Sequence, residues 1–192
     1  MKKVDYTLFD LKQDFFDHKS SLHGINHTYR VMCLTMYISE SEGLKKETLP
    51  ALCAAFIHDL ARKDDGYCTQ HGSWSVKTKL PVFKQRFLKV GLTDTDITKV
   101  GKAVANHSVR NEFKKSDEAY LVTAILKDAD ALDRIRLGED NLDEKYLRLE
   151  SSRNFINFAK ELFYRTNNNK LKTFEEVLSI AKQIKTKNWN YG

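Results

Sequence analysis

The sequence contains few of the residues that interrupt helices. Among its 192 residues are two prolines and eight glycines, and 41% of the chain is hydrophobic, as in ordinary folded proteins. An all-β chain needs turn residues at short intervals, and a disordered chain has far fewer apolar residues. Both classes are therefore disfavoured. We expect a mostly helical protein, and the length suits one domain spanning residues 1–192.

Cysteines and long apolar runs are also scarce. The three cysteines, Cys33, Cys53 and Cys68, are odd in number and show no paired spacing. This pattern predicts neither a disulfide framework nor a cysteine metal site, so we expect reduced thiols in a cytoplasmic protein. No apolar run approaches the roughly 20 residues of a membrane helix, and the N-terminal segment carries charges where a signal peptide would be apolar.

Charge of one sign is not concentrated in any part of the chain. The formal net charge is +6, from 32 basic and 26 acidic residues, and the basic residues are spread along the sequence. Proteins that bind nucleic acid usually gather Lys and Arg on one surface. The sequence therefore does not predict a nucleic-acid partner, although its charge suits a small phosphorylated substrate.

Apolar residues recur at helical spacing along most of the chain. The predicted helices cover residues 5–19, 26–42, 49–62, 71–79, 82–90, 93–107, 117–136, 143–165 and 173–187. Capping-box spacing at Thr93 with Asp96, and at Thr173 with Glu176, marks two of the starts, and Gly43 is a predicted stop. The helix over residues 49–62 is apolar nearly all round, so we expect it at the centre of the fold.

Polar side chains interrupt this pattern at His27, at the doublet His58-Asp59 and at Asp130. Each lies on or beside a helix rich in apolar residues, so packing the helices would bring these groups together. Buried polar groups are costly unless a partner satisfies them, and a metal ion is one such partner. Two imidazoles and two carboxylates suit Mn, Fe, Co, Ni, Zn or Mg.

Three motifs that contain these residues resemble those of the HD-domain superfamily of metal-dependent phosphohydrolases. Residues 27–31 (HTYRV) resemble its first motif, residues 58–60 (HDL) its signature doublet, and residues 128–133 (DADALD) its last motif. Three motifs in the right order are far more specific than one His-Asp doublet. The resemblance covers residues 22–137 and implies a compact all-α HD-domain helical bundle, on which the helices of residues 143–187 pack.

The resemblance also bears on the remaining carboxylates and histidines. The family pattern of Ala-Asp followed by Leu two residues later favours Asp130 over Asp128 as the ligand, and leaves Asp128 as a neighbouring or phosphate-side carboxylate. Relatives that hold two metals, or that bind a substrate phosphate, have histidines in the intervals where His71 and His107 lie. Each of these two histidines is thus either a second-ion or phosphate-binding residue or an ordinary surface histidine.

His23 precedes His27 by four residues and shares its helix face only if that helix begins early. We therefore expect His23 in a loop at the rim of the site. His18 lies in a charged segment and is expected in solvent.

The residues after the doublet distinguish subfamilies. Relatives that cleave ppGpp carry paired acids soon after the doublet, whereas Arg62 and Lys63 follow here, which argues against that activity. A guanidinium and an ammonium group are suited to binding phosphate. Asp64 or Asp65 is a candidate general acid or base, with a solvated loop as the alternative. Arg30 either orients a ligand or binds phosphate, or forms an ion pair on the helix surface.

Together these assignments predict a metal-dependent phosphohydrolase that acts on a nucleotide or a related small phosphate. One divalent ion is expected, with room for a second, and Asp59 also serves to orient the attacking water. A sensor that binds a nucleotide or a metal without turnover is the first alternative, and a di-iron oxygenase is the second. The sequence indicates no membrane partner and does not predict the oligomeric state.

Overall fold

Eight α-helices and no strand are found among the residues that the computed structural model describes, namely 4–167, 169 and 171–189. The helices are α1 (Ile25–Ser41), α2 (Thr48–Ile57), α3 (His71–Thr78), α4 (Leu80–Val90), α5 (Asp94–Asn106), α6 (Tyr120–Leu132), α7 (Ile156–Thr166) and α8 (Phe174–Trp189). The predicted all-α class is therefore confirmed.

Helix α2 lies at the centre of the fold, as its apolar sequence predicts. Every residue from Pro50 to Ile57 is buried, and α2 packs against α1, α5 and α6. It ends at Ile57, five residues before the predicted end at Arg62. Beyond it the backbone tightens into turns, in which Leu60 N–H donates to Ile57 O at 3.3 Å. The His58-Asp59 doublet consequently lies at the end of a buried helix.

The helix predicted over residues 5–19 is wrong. Two 3₁₀ turns replace it, at Tyr6–Phe9 and Gln13–Phe15. Besides the local bonds of these turns, the backbone here also bonds to distant parts of the chain. Leu11 N–H donates to the Tyr29 hydroxyl at 2.7 Å, and Asp17 N–H donates to Leu60 O at 2.9 Å. These long-range partners satisfy groups that an α-helix would have paired locally.

The helix predicted over residues 143–165 is also interrupted. Two 3₁₀ turns, Glu144–Tyr146 and Glu150–Phe155, precede α7. Between them, the buried Asp128 carboxylate accepts the backbone N–H groups of Arg148 and Leu149, each at 2.9 Å. Because these two N–H groups are bound by a side chain, they cannot enter a helical ladder.

The two capping boxes predicted from the sequence both form at helix starts. Thr93 and Asp96 form the predicted capping box, with Asp96 N–H donating to Thr93 Oγ1 at 3.2 Å and Thr93 N–H donating to Asp96 Oδ2 at 3.0 Å. Thr173 and Glu176 exchange the same pair of bonds at the start of α8. Gly43 follows α1 with a φ of 70°, the left-handed conformation that ends many helices.

The two C-terminal helices, α7 and α8, both pack against α1 and against each other. Cys33 and Cys53 are buried free thiols, and Cys68 is a partly buried one, as expected for packing residues. Among the described residues, no helix is both long enough and apolar enough to cross a membrane.

Candidate metal centre

Five helices and the turn before α1 bring polar side chains to one place. His27 lies in the first turn of α1, His58 and Asp59 directly follow α2, and His71 begins α3. His107 directly follows α5, and Asp130 lies near the end of α6. His23, in the turn before α1, joins them. The group lies beside a cavity of about 350 Å³, which Arg62, Arg134 and Arg136 also line.

Asp59 is at the centre of this group, and its two oxygens face different histidines. Oδ2 lies 2.9 Å from His23 Nδ1, 3.5 Å from His27 Nε2 and 3.6 Å from His58 Nε2. Oδ1 lies 3.0 Å from His71 Nε2 and 3.7 Å from His107 Nε2. One buried carboxylate thus joins two clusters of imidazole nitrogens.

Hydrogen bonds to main-chain carbonyls orient three of the imidazoles. His58 Nδ1 donates to Ala55 O at 2.7 Å, and His107 Nδ1 donates to Val104 O at 2.7 Å. His71 Nδ1 lies 2.9 Å from Cys68 O in the same arrangement. In each case the acceptor lies three residues earlier in the chain. A carbonyl can only accept, so in His58 and His107 the proton is on Nδ1 and the Nε2 lone pair faces Asp59. His71 Nδ1 also lies 3.0 Å from the donor Arg62 Nη1.

His27 is oriented by a carboxylate instead. Its Nδ1 donates to Asp133 Oδ2 at 2.7 Å, and Asp133 is held from the other side by Arg30 Nε and Nη2 at 2.5 and 2.9 Å. Burial alone would raise the pKa of the Asp133 carboxyl, but Arg30 and His27 hold that pKa at about 2. An ionised Asp133 keeps the proton on His27 Nδ1 and turns Nε2 towards Asp59.

Two pairs of imidazoles therefore meet through their Nε2 atoms. His27 Nε2 and His58 Nε2 are 3.2 Å apart, and His71 Nε2 and His107 Nε2 are 2.9 Å apart. Burial lowers the pKa of His58 to about 3, so this ring is neutral near pH 7. Lone pairs that face each other at this distance repel unless a positive charge, a proton or a metal ion, lies beside them.

The buried carboxylates also favour a bound cation. Burial alone would raise the pKa of both Asp59 and Asp130, yet the surrounding histidines lower the pKa of Asp59, and the Arg136 guanidinium lowers that of Asp130. Asp130 Oδ1 is buried and has no hydrogen-bond partner among the described residues, although His27 Nε2 lies 3.4 Å away. Three overlapping sets of residues each have donor atoms that lie within 4.8 Å of one another. The sets are His23, His27 and Asp59; His27, His58 and Asp130; and His58, Asp59 and His107. This nitrogen and oxygen donor set fits a divalent transition metal.

Comparison with known families agrees with this geometry. The sequence profile of the HD domain matches residues 24–135, more than half of the chain. The chain belongs to the HD domain family. Members of this family are metal-dependent phosphohydrolases, so the HD domain accounts for the metal-binding character of the cluster. No curated protein and no solved structure matches the chain.

The structure brings together the four residues predicted to bind the ion, His27, His58, Asp59 and Asp130. The two histidines of unassigned role, His71 and His107, join the same cluster. His71 is 4% exposed and His107 is 9% exposed, so neither is a surface histidine.

Asp128 lies apart from the cluster. It is fully buried, and its two oxygens accept the N–H groups of Arg148 and Leu149 and face the Arg148 guanidinium at 3.3 Å. The phosphate-side role predicted for Asp128 does not fit these contacts, because the carboxylate is enclosed by a neighbouring segment.

Arg30 lies away from the cavity. This side chain is 1% exposed and bonds to Asp133, so it orients a ligand through Asp133 and does not reach the cavity. Lys63 Nζ lies over the Trp74 ring, 4.3 Å from its centroid, and the Asp64 carboxylate accepts Gly66 N–H at 2.8 Å. Neither Lys63 nor Asp64 lines the cavity, so the structure does not bring these two predicted groups to the site.

Arg62 does reach the site. Its Nη1 lies 3.0 Å from His71 Nδ1 and 3.9 Å from Asp59 Oδ1, and its Nη2 donates to Gly66 O at 2.9 Å. Asp65 lines the same cavity and lies 3.7 Å from His18 Nε2.

Sequence reasoning missed three residues of the site. His23 lies in the turn before α1, as expected, but it is buried against Asp59 and does not lie at an exposed rim. The sequence pattern assigns no role to Asp133 or Arg136. Arg136 Nη2 lies 3.6 Å from Asp130 Oδ1 and 3.4 Å from His23 Nδ1. The spacing of Asp130, Asp133 and Arg136, three residues apart, is a signal that could have indicated a shared helix face.

Proposed function

We propose that this protein hydrolyses a phosphoester of a small phosphorylated molecule, of the nucleotide or a related class, at a centre that holds two divalent ions. His27, His58, Asp59 and Asp130 hold one ion, and His71 and His107 share Asp59 to hold the other. When bound, such ions polarise the phosphoryl oxygens and lower the pKa of water, which supplies a nucleophile at neutral pH.

The observation that carries this proposal is the pair of Nε2–Nε2 contacts on the two sides of Asp59, 3.2 Å on one side and 2.9 Å on the other. A single ion placed in one cluster would leave the two Nε2 atoms of the other cluster in close contact, with only a shared proton to relieve their repulsion. The two oxygens of Asp59 face the two clusters separately, which is what a carboxylate shared between ions requires.

Side chains of the protein also prepare the cavity for an anion. Arg62, Arg134 and Arg136 line it, and Arg62 Nε and Arg136 Nε are buried without a hydrogen-bond partner among the described residues. Donors left unpaired in a buried position bind a phosphate oxygen favourably. These guanidinium groups would orient the phosphate and balance the charge that it gains during hydrolysis.

The proposal is tested with purified protein loaded in turn with Mn, Fe, Co, Ni, Zn and Mg. Metal content is measured by mass spectrometry, and turnover is measured with p-nitrophenyl phosphate, bis-p-nitrophenyl phosphate and common nucleotides. We expect up to two ions per chain and hydrolysis of at least one substrate class. Asp59→Asn should lower turnover by more than about 100-fold, since it weakens both clusters.

His18→Gln is the matched control, because His18 is a partly exposed histidine outside the cluster. It should retain metal content and turnover. A folded, metal-loaded protein that hydrolyses none of these substrates would contradict the proposal. If that protein still bound nucleotides, it would be the sensor, and oxygen consumption by the iron form would identify an oxygenase.

A further inference from the structure

A second, larger cavity opens beside the metal centre. Its volume is about 580 Å³, against about 350 Å³ for the cavity at the cluster. The two cavities share part of their lining. The shared residues are Tyr67, His107, Ser108, Asp130 and Arg134. A substrate whose phosphate lies at the cluster can therefore extend its other half into the second cavity.

One wall of this second cavity lies outside the part of the chain that the HD profile matches. Asn141, Asp143, Tyr146 and Arg148 belong to the segment after residue 135. The Asp128 carboxylate fixes this segment by accepting N–H groups at 2.9 Å. The wall is therefore an ordered feature of this chain that the family match does not describe.

Exposed aromatic rings line the second cavity. Tyr67 is 90% exposed and Tyr146 is 61% exposed, and they are two of five large hydrophobic side chains exposed among the described residues. In water, the stacking of a flat aromatic ring on an exposed tyrosine ring lowers the free energy. The concentration of such rings at one cavity favours a ligand with a flat aromatic group.

The charges of the cavity favour an anionic ligand. Lys127 and Arg148 both pair with Glu112, at 2.9 and 2.7 Å, so this part of the lining is largely neutralised. Arg110 and Arg134 have no ion-pair partner among the described side chains. Arg134 Nε donates to a carbonyl, Asn141 O, at 3.0 Å. Two guanidinium groups without an ion-pair partner among the described side chains thus line the second cavity, and Arg134 lines the cavity at the cluster as well.

We infer that the second cavity binds the non-transferred half of the substrate, and that this half carries a flat heteroaromatic ring, as a nucleoside does. The inference rests on the proposed function, because the metal centre fixes where the phosphate lies. The ring packs on Tyr146 and Tyr67, while Arg110 and Arg134 attract the phosphorylated end. Asn141 and Ser108 supply polar groups for the edge of the ring.

Adenosine and ribose test this inference without any hydrolysis, since neither contains a phosphoester. Binding of each to the metal-loaded protein is measured by isothermal titration calorimetry. We expect adenosine to bind at least about tenfold more tightly than ribose, and Tyr146→Ala to raise the Kd for adenosine by roughly tenfold. Tyr164→Ala is the matched control, because Tyr164 is 57% exposed and does not line the cavity.

Equal affinity for adenosine and ribose would overturn the inference. So would a Tyr146→Ala variant that binds adenosine like the wild type, or a Tyr164→Ala variant that loses as much affinity. If the protein hydrolyses phosphoesters but fails this binding test, the proposed function stands and the inference is wrong. If the protein selects adenosine but hydrolyses no phosphoester, the binding site stands and the proposed function is wrong.

Discussion

Asp133 connects the metal centre to the interior of the protein. It accepts the His27 Nδ1 proton at 2.7 Å and is itself held by Arg30, and both partners are almost completely buried. A buried carboxylate behind an imidazole raises the basicity of the opposite nitrogen and fixes the orientation of the ring. Asp133 is thus a positioning residue for the first ligand of the chain.

Asp133→Asn should weaken metal binding by about 10- to 100-fold, because an amide orients His27 less firmly and leaves Arg30 without a counter-charge. The measurement is competition for Zn or Co against a chelating dye. Asp128→Asn is the control, since Asp128 is equally buried and lies five residues earlier in the chain but does not contact the cluster. If both variants lose the same metal affinity, Asp133 has only a general structural role.

The sequence was most informative about residues that interrupt an apolar pattern. His27, His58, Asp59 and Asp130 stand out in this way, and the structure brings all four together. It was least informative where the choice between partners depends on packing. The family pattern favours Asp130 over Asp128, and Asp130 is the one that lies in the cluster. The sequence gives no sign, however, that Asp128 binds the N–H groups of Arg148 and Leu149.

Helices α3 and α5 approach each other closely where they carry their histidines. A Cβ atom on Gly72 would lie 2.2 Å from Val104 O and 3.0 Å from His107 Nδ1. Glycine at this position therefore allows His71 and His107 to meet. The contact explains why a glycine occupies the first turn of a helix, where most residues would be tolerated.

Gly72→Ala should lower the free energy of unfolding by about 1–3 kcal/mol, because the added methyl group has to displace the end of α5. Urea denaturation of the metal-free protein measures the change. Ser73→Ala, an exposed position in the same helix, is the control and should stay within about 0.5 kcal/mol of the wild type. A Gly72→Ala variant as stable as this control would show that the helices can separate at little cost.

At the scale of elements, local sequence signals predicted the helix starts that are capped by neighbouring side chains. The Thr93 and Thr173 caps lie at the observed helix starts. The failures at residues 5–19 and 143–165 share one cause. There, a distant side chain or carbonyl binds the backbone, through Tyr29 and Leu60 in the first case and Asp128 in the second. Local periodicity carries no information about such partners.

The metal centre joins elements that are distant in the sequence, from His23 to Asp130. In the folded chain these donors are held close together, whereas in the unfolded chain they are dispersed. Metal that binds the folded state alone stabilises it, by about 2.7 kcal/mol when its concentration is 100 times the Kd.

Chelation of the metal should therefore lower the Tm of the wild-type protein. Differential scanning fluorimetry with and without EDTA measures this shift. The Asp59→Asn variant serves as the control and should show a much smaller shift, since it lacks the carboxylate that joins the two clusters. A wild-type Tm that does not change when the bound metal is removed would show that the donors are fully organised without it.

The position of Arg30 has a consequence for anyone who designs a fragment of this protein. One side of its guanidinium bonds to Asp133, within the stretch that the HD profile matches. The other side lies over the Phe163 ring, 5.0 Å from its centroid, and lies 3.5 Å from Thr166 Oγ1. Phe163 and Thr166 belong to α7, beyond that stretch. A gene cut at the edge of the family match would expose this arginine to water, so the piece to clone is longer than the piece that sequence comparison recognises.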